Sequence, residues 1–338
     1  MAPKLVLGTM LFGTLVSEEH AYSILDSFFD KGFSHIDTAP IYPSPCRFDL
    51  YGVTESIIGR YFTSRSKLIS QTAIVSSKFP CSSTKLPYSR SLQGPISFKE
   101  LLASYNSSLL RLSLDHLHAY FLHWPNRTVN NFGRVVTALP HDHSPYSELK
   151  HSISSLIELC KSLNISTAGI SNETPLGLVC LLDVSRSLGY SGNLAIQNPY
   201  NIITPYIDIA LSELCYCHNI GLYAHSPLAF GVLSRSSVSS QSSDSRASLY
   251  PEYFSRYSLN TELLLAELCK LAHSAEISLL ELSIRYVLSN PCVSYIIIGP
   301  RTVEQLDVAA SAFSGGALEG DLIDEIHGLY RRVAGFAF

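Results

Sequence analysis

The sequence predicts an α/β chain folded as a single (β/α)8 barrel, a TIM barrel, over residues 1–338. Eight short runs of aliphatic and β-branched residues alternate with stretches of helical period, the pattern of parallel strands joined by crossover helices. The length is large for one average domain but ordinary for a closed barrel. No G-x-G-x-x-G follows the first strand, which disfavours an open doubly wound sheet.

Taken in order, the strands are expected at 4–9 (KLVLGT), 34–37 (SHID), 68–78 (LISQTAIVSSK), 117–123 (LHAYFLH), 166–171 (STAGIS), 194–198 (LAIQN), 222–226 (LYAHS) and 294–299 (SYIIIG). The first helix lies between Ser17, a capping residue, and Gly32, which can take the left-handed conformation that ends a helix. Further helical segments fall at 54–63, 97–112, 147–163, 175–188, 207–219, 278–289 and 302–312, with Thr54 and Glu55 reading as a capping signal. Two more, 260–274 and 319–333, are additions to the repeat. The stretch SRSSVSSQSSDSRAS (234–248) has almost no apolar anchor and predicts a mobile loop. It follows the seventh strand, on the face where barrels bind ligands, so it reads as a lid or as an inert linker.

Hydrophobic residues make up 46% of the chain and charged residues 15%, a composition for a packed interior rather than for disorder. The net charge of −4 supplies no basic field, which excludes nucleic acid and anionic membrane surfaces as expected partners. No apolar run reaches the length of a membrane span, and MAPKLVLGTMLFG is broken by Gly8 and Thr9 before a cleavage pattern could follow; the expectation is a cytoplasmic protein. Eight cysteines are scattered without C-x-x-C pairs and read as reduced, mostly buried thiols. No metal site is expected, because the tempting CYCH stretch (Cys215 to His218) has no distant partners.

In a barrel the C-terminal strand ends form the reactive rim. Here they carry Asp37, Lys78, His123, the pair Ser171 and Asn172, and the pair Gln197 and Asn198. One polar residue at a strand end is commonly a cap or a loop anchor, but an acid, a lysine and a histidine at three successive ends form a constellation. Asp37 beside Lys78 would pair charges at low local dielectric, and a phenol next to that ammonium would ionise more readily than its usual pKa of about 10 allows. Two tyrosines follow Asp37, Tyr42 and Tyr51, and the residues alone leave both open as the proton donor. His123 could hydrogen-bond a carbonyl oxygen as it gains charge. The set suits carbonyl reduction with hydride from a bound cofactor, since no side chain donates one.

The strings GTMLFG (8–13), DTAPIY (37–42), SSK (76–78), LHWP (122–125), GISN (169–172), QNPYN (197–201), AHSPLAFGVL (224–233) and IIIGPRTVEQL (296–306) together resemble the aldo-keto reductase superfamily, in the family's own order. The Y-P-x-P insertion after Tyr42, HWPNR and SNET (171–174) are most similar to the Tas-like branch, with potassium-channel β-subunits more distant. The resemblance implies a barrel that binds NADPH and reduces aldehydes or ketones. It implies a tetrad of Asp37, Tyr42, Lys78 and His123, Tyr42 being chosen because the family's tyrosine lies five residues after its aspartate. Tyr51, in YGVTE, looks like the string that normally follows at once, separated here by the insertion.

The same resemblance assigns Ser171, Asn172 and Gln197 to the nicotinamide carboxamide, Ser226 and Leu228 to the pyrophosphate region, Arg235 and Arg256 to phosphates, and Arg301 with Thr302 to the adenosine 2′-phosphate; Thr9, Gly299 and Gln305 complete the cofactor set. Three departures matter. His225 stands where a Tyr or Trp face usually meets the nicotinamide, Val308 and Ala309 replace a glutamate and asparagine that clasp the adenine, and the hairpin that usually plugs the barrel's lower end is expected to be missing. Phe12, Tyr88 and Trp124 are expected to line an apolar substrate pocket, and the short RVAGFAF tail (332–338) implies breadth for small carbonyls. Two other classes fit the residues: a nucleotide-sensing regulatory subunit with little turnover, and a cofactor-free lyase or isomerase. NADPH binding separates the last from the others, and turnover separates reductase from sensor.

Overall fold

In a computed structural model, which describes residues 2–82, 94–129, 144–234 and 259–334, eight parallel strands close into a barrel in sequence order. They are β1 (Lys4–Gly8), β2 (His35–Asp37), β3 (Ile74–Phe79), β4 (Ala119–Leu122), β5 (Thr167–Ser171), β6 (Asn193–Pro199), β7 (Gly221–His225) and β8 (Val293–Ile298). β1 pairs with both β2 and β8, so no strand edge is left open, the arrangement that protects short parallel strands.

The strand period of two divides the apolar residues into an inner and an outer set. Val6, Ala119, Phe121, Ala195, Tyr223 and Ile297 form the interior cluster, with Tyr295 against it. Leu5, Leu7, Ile36, Val75, Tyr120, Leu122, Ala168 and Ile170 face outward into a continuous shell with the helices. A small third cluster of Ala39, Ile41 and Tyr42 sits above the strands, against Met10, Tyr51 and Trp124.

The helices follow from local signals. α1 (Glu18–Asp30) starts at Ser17, whose side chain accepts from the His20 amide, and Gly32 takes φ +80° beyond its end. α2 (Val53–Ser64) is capped by Gly52 in the left-handed region rather than at Thr54 and Glu55. Those two side chains point inward: the Thr54 hydroxyl donates to the Phe12 carbonyl at 2.7 Å, and Glu55, fully buried, accepts from Ser77 and Arg111 at 2.7 Å each. Two opposed partners are what allow a carboxylate to be buried there.

Three other boundaries differ from expectation. Residues 68–72 do not begin the third strand; Ser66 caps a short helix, α3 (Lys67–Thr72), which leaves Leu68 65% exposed, and β3 starts only at Ile74. The helix expected at 207–219 is broken at Leu211 (φ −111°) into α4 (Tyr206–Ala210) and α5 (Ser212–His218), the latter carrying the CYCH stretch. The last helix ends at Leu329 and passes into a π-turn over Tyr330–Ala334, where the buried Tyr330 hydroxyl reaches the Ile202 carbonyl at 2.6 Å. Of the serine-rich stretch, only Ser234 falls within the described residues. Among the described residues no helix is long and apolar enough to cross a membrane, and no cluster of His, Cys, Asp and Glu is placed to hold a metal.

Candidate active site

Asp37 ends β2 pointing into the upper barrel, where Lys78 arrives from β3 because both lie on inward positions of neighbouring strands. Lys78 Nζ donates to Asp37 Oδ2 at 2.6 Å and to the Thr38 carbonyl at 2.9 Å. The other carboxylate oxygen, Oδ1, accepts from Ser76 Oγ at 2.8 Å and from Gln197 Nε2 at 2.9 Å. Three donors fix the acid, and burial with hydrogen bonding of this kind leaves it little rotational freedom. Burial pushes the Lys78 pKa down and Asp37 pulls it back up, the net direction being downward: the ammonium gives up its proton more readily than an exposed lysine.

Tyr42 lies above this pair. Lys78 Nζ is 5.1 Å from the centroid of its ring, within the range of cation–π attraction, and the ring is nearly buried. His123, just past β4, meets Tyr42 edge to face with centroids 5.7 Å apart. Its pKa lies well below the ordinary histidine value, first through burial, then through the Lys78 charge and His225. The imidazole is therefore neutral near pH 7, and its buried Nδ1 has no hydrogen-bond partner among the described residues.

Tyr51 sits elsewhere. Its ring lies under the Arg111 guanidinium at 5.5 Å, and burial raises its pKa above the ordinary tyrosine value. The insertion between the tyrosines closes at its neck: Gly52 N–H donates to the Pro40 carbonyl at 2.6 Å and Ser44 N–H to Met10 at 2.8 Å. Both tyrosines pack in the small cluster above the strands, but it is Tyr42 that lies over Lys78, while Tyr51 lies under Arg111.

Beyond β5 and β7, Asn172 (φ +55°) and Ser226 (φ +56°) adopt left-handed backbone. Asn172 Nδ2 donates to the His123 carbonyl at 2.9 Å and to Ser171 Oγ at 3.1 Å, and its Oδ1 is 3.1 Å from His225 Nε2. His225 Nδ1 is in turn 3.0 Å from Ser226 Oγ. Ser171 Oγ donates to the Gln197 carbonyl, so Ser171, Asn172, Gln197, His225 and Ser226 form one connected rim. Two amides, the Ser171 and Ser226 hydroxyls and the half-buried His225 ring on one edge of the mouth fit a flat amide-bearing group such as nicotinamide, although one N–H of Gln197 Nε2 is committed to Asp37. Leu228 is half-buried against the outer core, and Gly299 is exposed at the end of β8.

Other residues are placed differently from the sequence expectation. Phe12 is fully buried in the core and does not line a pocket; Thr9 is likewise buried, its hydroxyl spent on the Asp37 carbonyl at 2.9 Å. Thr302 and Gln305 cap the helix Val303–Ser314: Thr302 Oγ1 accepts from the Gln305 amide, and Gln305 Oε1 accepts from the Arg301 amide at 2.8 Å. Val308 is 52% exposed and Ala309 buried, so neither offers a polar clasp. Trp124 does border the mouth, 4.9 Å from the His123 ring, with Nε1 donating to the Ser82 carbonyl. Tyr88, Arg235 and Arg256 lie outside the described residues.

The HWPNR and SNET strings prove to be partners. Arg127 clasps Glu173 with two bonds of 2.6 and 2.9 Å and reaches Thr174 at 3.0 Å, with both charged side chains over 90% buried. Reasoning from the sequence missed this pair; two opposite charges, each next to a strand-end motif, were the available signal.

Comparison with known proteins agrees with the geometry. The Aldo/keto reductase family matches residues 4–331. Protein tas of Escherichia coli (strain K12) is 29% identical over 305 residues, covering 89% of this chain and 86% of that protein. The uncharacterized oxidoreductase YrpG of Bacillus subtilis (strain 168) is 27% identical over 312 residues, 90% of this chain and 85% of its own. The L-glyceraldehyde 3-phosphate reductase of Escherichia coli (strain K12) is 25% identical over 323 residues, 92% and 84%. With the match running from the first barrel strand to the turn after the last helix, the chain belongs to the aldo/keto reductase family.

Proposed function

We propose that this protein reduces aldehydes or ketones to alcohols with NADPH, using Tyr42 as the proton donor. The observation that supports the reading is the stack of Asp37, Lys78 and Tyr42, with a neutral His123 at its edge. When bound, the reduced nicotinamide nucleotide supplies the hydride that no side chain can. Ser171, Asn172, Gln197 and His225 would hold its ring end, and Arg301 would meet its phosphate end.

The chain's own residues handle the proton and the developing charge. Tyr42 holds a proton at its phenolic oxygen for the substrate oxygen. Lys78 stabilises the phenolate that remains, and Asp37, fixed by Ser76 and Gln197, keeps the ammonium charged against the cost of burial. A neutral His123 can donate one N–H to the substrate oxygen without losing a proton to it, which orients the carbonyl. Trp124 and Tyr42 give the mouth aromatic walls suited to small carbonyl compounds.

A sensing role keeps one supporting observation. His225 is tied to Asn172 and Ser226, and Val308 and Ala309 offer no adenine clasp, a combination that suits weak or slowly exchanging nucleotide. The test is a fluorescence titration with NADPH followed by turnover of para-nitrobenzaldehyde. Binding with turnover supports the reductase, binding without turnover the sensor, and no binding ends both.

A further inference from the structure

The barrel has a second mouth. At the N-terminal ends of the strands, below the interior cluster, lies a cavity of about 170 Å³, the share of liquid volume taken by about six waters. Lys4, His35 and His118 ring its entrance, and Val6, Ala119 and Tyr295 form its walls. No carboxylate lines it among the described residues, and Lys4 has no ion-pair partner there. The His118 Nδ1 atom is buried without a hydrogen-bond partner.

These features place one ammonium, Lys4, and two imidazoles over an apolar floor. Burial, then the Lys4 charge, then His118 drive the His35 pKa down to about 4, so at pH 7 the ring is neutral and offers an N–H rather than a charge. His118 is lowered in the same sense by burial and by His116, whose ring lies 4.6 Å from it. The walls are rigid: Tyr295 stacks on Tyr223 at 4.0 Å and tilts against His35 at 5.4 Å. Ser76, which also lines the cavity, donates its hydroxyl to Asp37 of the upper site.

We propose that this lower mouth is a second ligand site, built for a small carboxylate with a flat apolar body. The carboxylate would sit among Lys4, His35 and His118, satisfying the orphaned His118 nitrogen, and the apolar body would lie between Ala119 and the face of Tyr295. The site is separate from the tetrad and stands whether or not the upper mouth reduces carbonyls.

The test is NMR of the histidine side chains in the whole protein, with signals assigned by His35→Gln and His118→Gln. Benzoate should shift the His35 and His118 signals. Benzamide, the same shape without charge, and inorganic phosphate, charge without the apolar body, should each bind about tenfold more weakly or worse. Lys4→Met removes only an exposed side chain, keeps the fold and should weaken benzoate by about tenfold. Ala119→Leu, which fills the cavity, should abolish the shifts. Benzoate that moves only His123, benzamide or phosphate equal to benzoate, or no response to Lys4→Met would each overturn the proposal.

Discussion

Lys78 and Asp37 meet at 2.6 Å in the upper barrel, with the lysine side chain fully excluded from solvent and the aspartate side chain 4% exposed. An ion pair this deep is not a net source of stability, but removing one partner strands the other. Asp37→Asn should therefore lower the unfolding free energy by about 3 kcal/mol, softened by neutralisation of the amine, whose proton burial already loosens. The double variant Asp37→Asn with Lys78→Met should recover part of that loss, because no unpaired charge remains. Urea unfolding of the parent, the Asp37→Asn and Lys78→Met single variants and the double variant decides the matter; additive losses would mean that the pair is not coupled.

Tyr42 and Tyr51 provide a second contrast. Tyr42 shares contacts with Lys78 and His123, whereas Tyr51 packs under Arg111 with a raised pKa. Tyr42→Phe should cut kcat for para-nitrobenzaldehyde by about 10²- to 10⁴-fold, the range for a lost general acid, with nucleotide binding intact. Tyr51→Phe should leave kcat near the parent value. The reverse pattern would transfer the donor role across the insertion.

Much of this was legible beforehand because strand ends in a barrel are fixed by period: Asp37, Lys78 and His123 had to point to one mouth once the strands were placed. The choice between the tyrosines was less legible, since it depends on the Gly52 to Pro40 bond that closes the insertion's neck, a contact with no local signature. Phe12 misled because an aromatic beside a rim motif looks the same whether it faces the mouth or the core. Residues 68–72 misled because Leu68 and Ile69, continuous with the strand residues after them, read as its start, whereas Ser66 caps a short helix there. Glu55 looked like a cap because its partners, Ser77 and Arg111, are distant in the chain.

The buried histidines set an acid limit on stability. An unfolded histidine titrates near 6.5, whereas His35 in the folded barrel is held at about 4. Between those values the unfolded chain binds more protons, so stability is complete above pH 6.5 and falls as pH drops toward 4. One such group accounts for up to about 3 kcal/mol across the window, and His118 and His123 shift in the same direction. Unfolding free energy measured from pH 7 to pH 4 should decline, and His35→Leu should make that decline shallower. A parent curve that stays level over this range would show that the histidines are free to charge in the folded state.

Gly169 marks a place in the barrel interior that leaves no room for a side chain. It faces Phe121 across the β4–β5 pairing, and a Cβ placed on it would lie 2.1 Å from Cε1 and 2.2 Å from Cδ1 of that ring. Phe121 cannot simply withdraw: it is fully buried and packs edge to face on Tyr223 at 5.3 Å, which is itself stacked on Tyr295. Gly169→Ala should therefore cost about 1–3 kcal/mol through overpacking. Phe121 is also the strand partner of Lys78, so a displaced ring moves the layer that holds the ammonium, and turnover should fall with stability. Adding Phe121→Leu should return most of the lost stability by making room for the new methyl group. Urea unfolding and kcat of the single and double variants read both effects; a Gly169→Ala protein as stable and as active as the parent would mean that the interior repacks freely around Lys78.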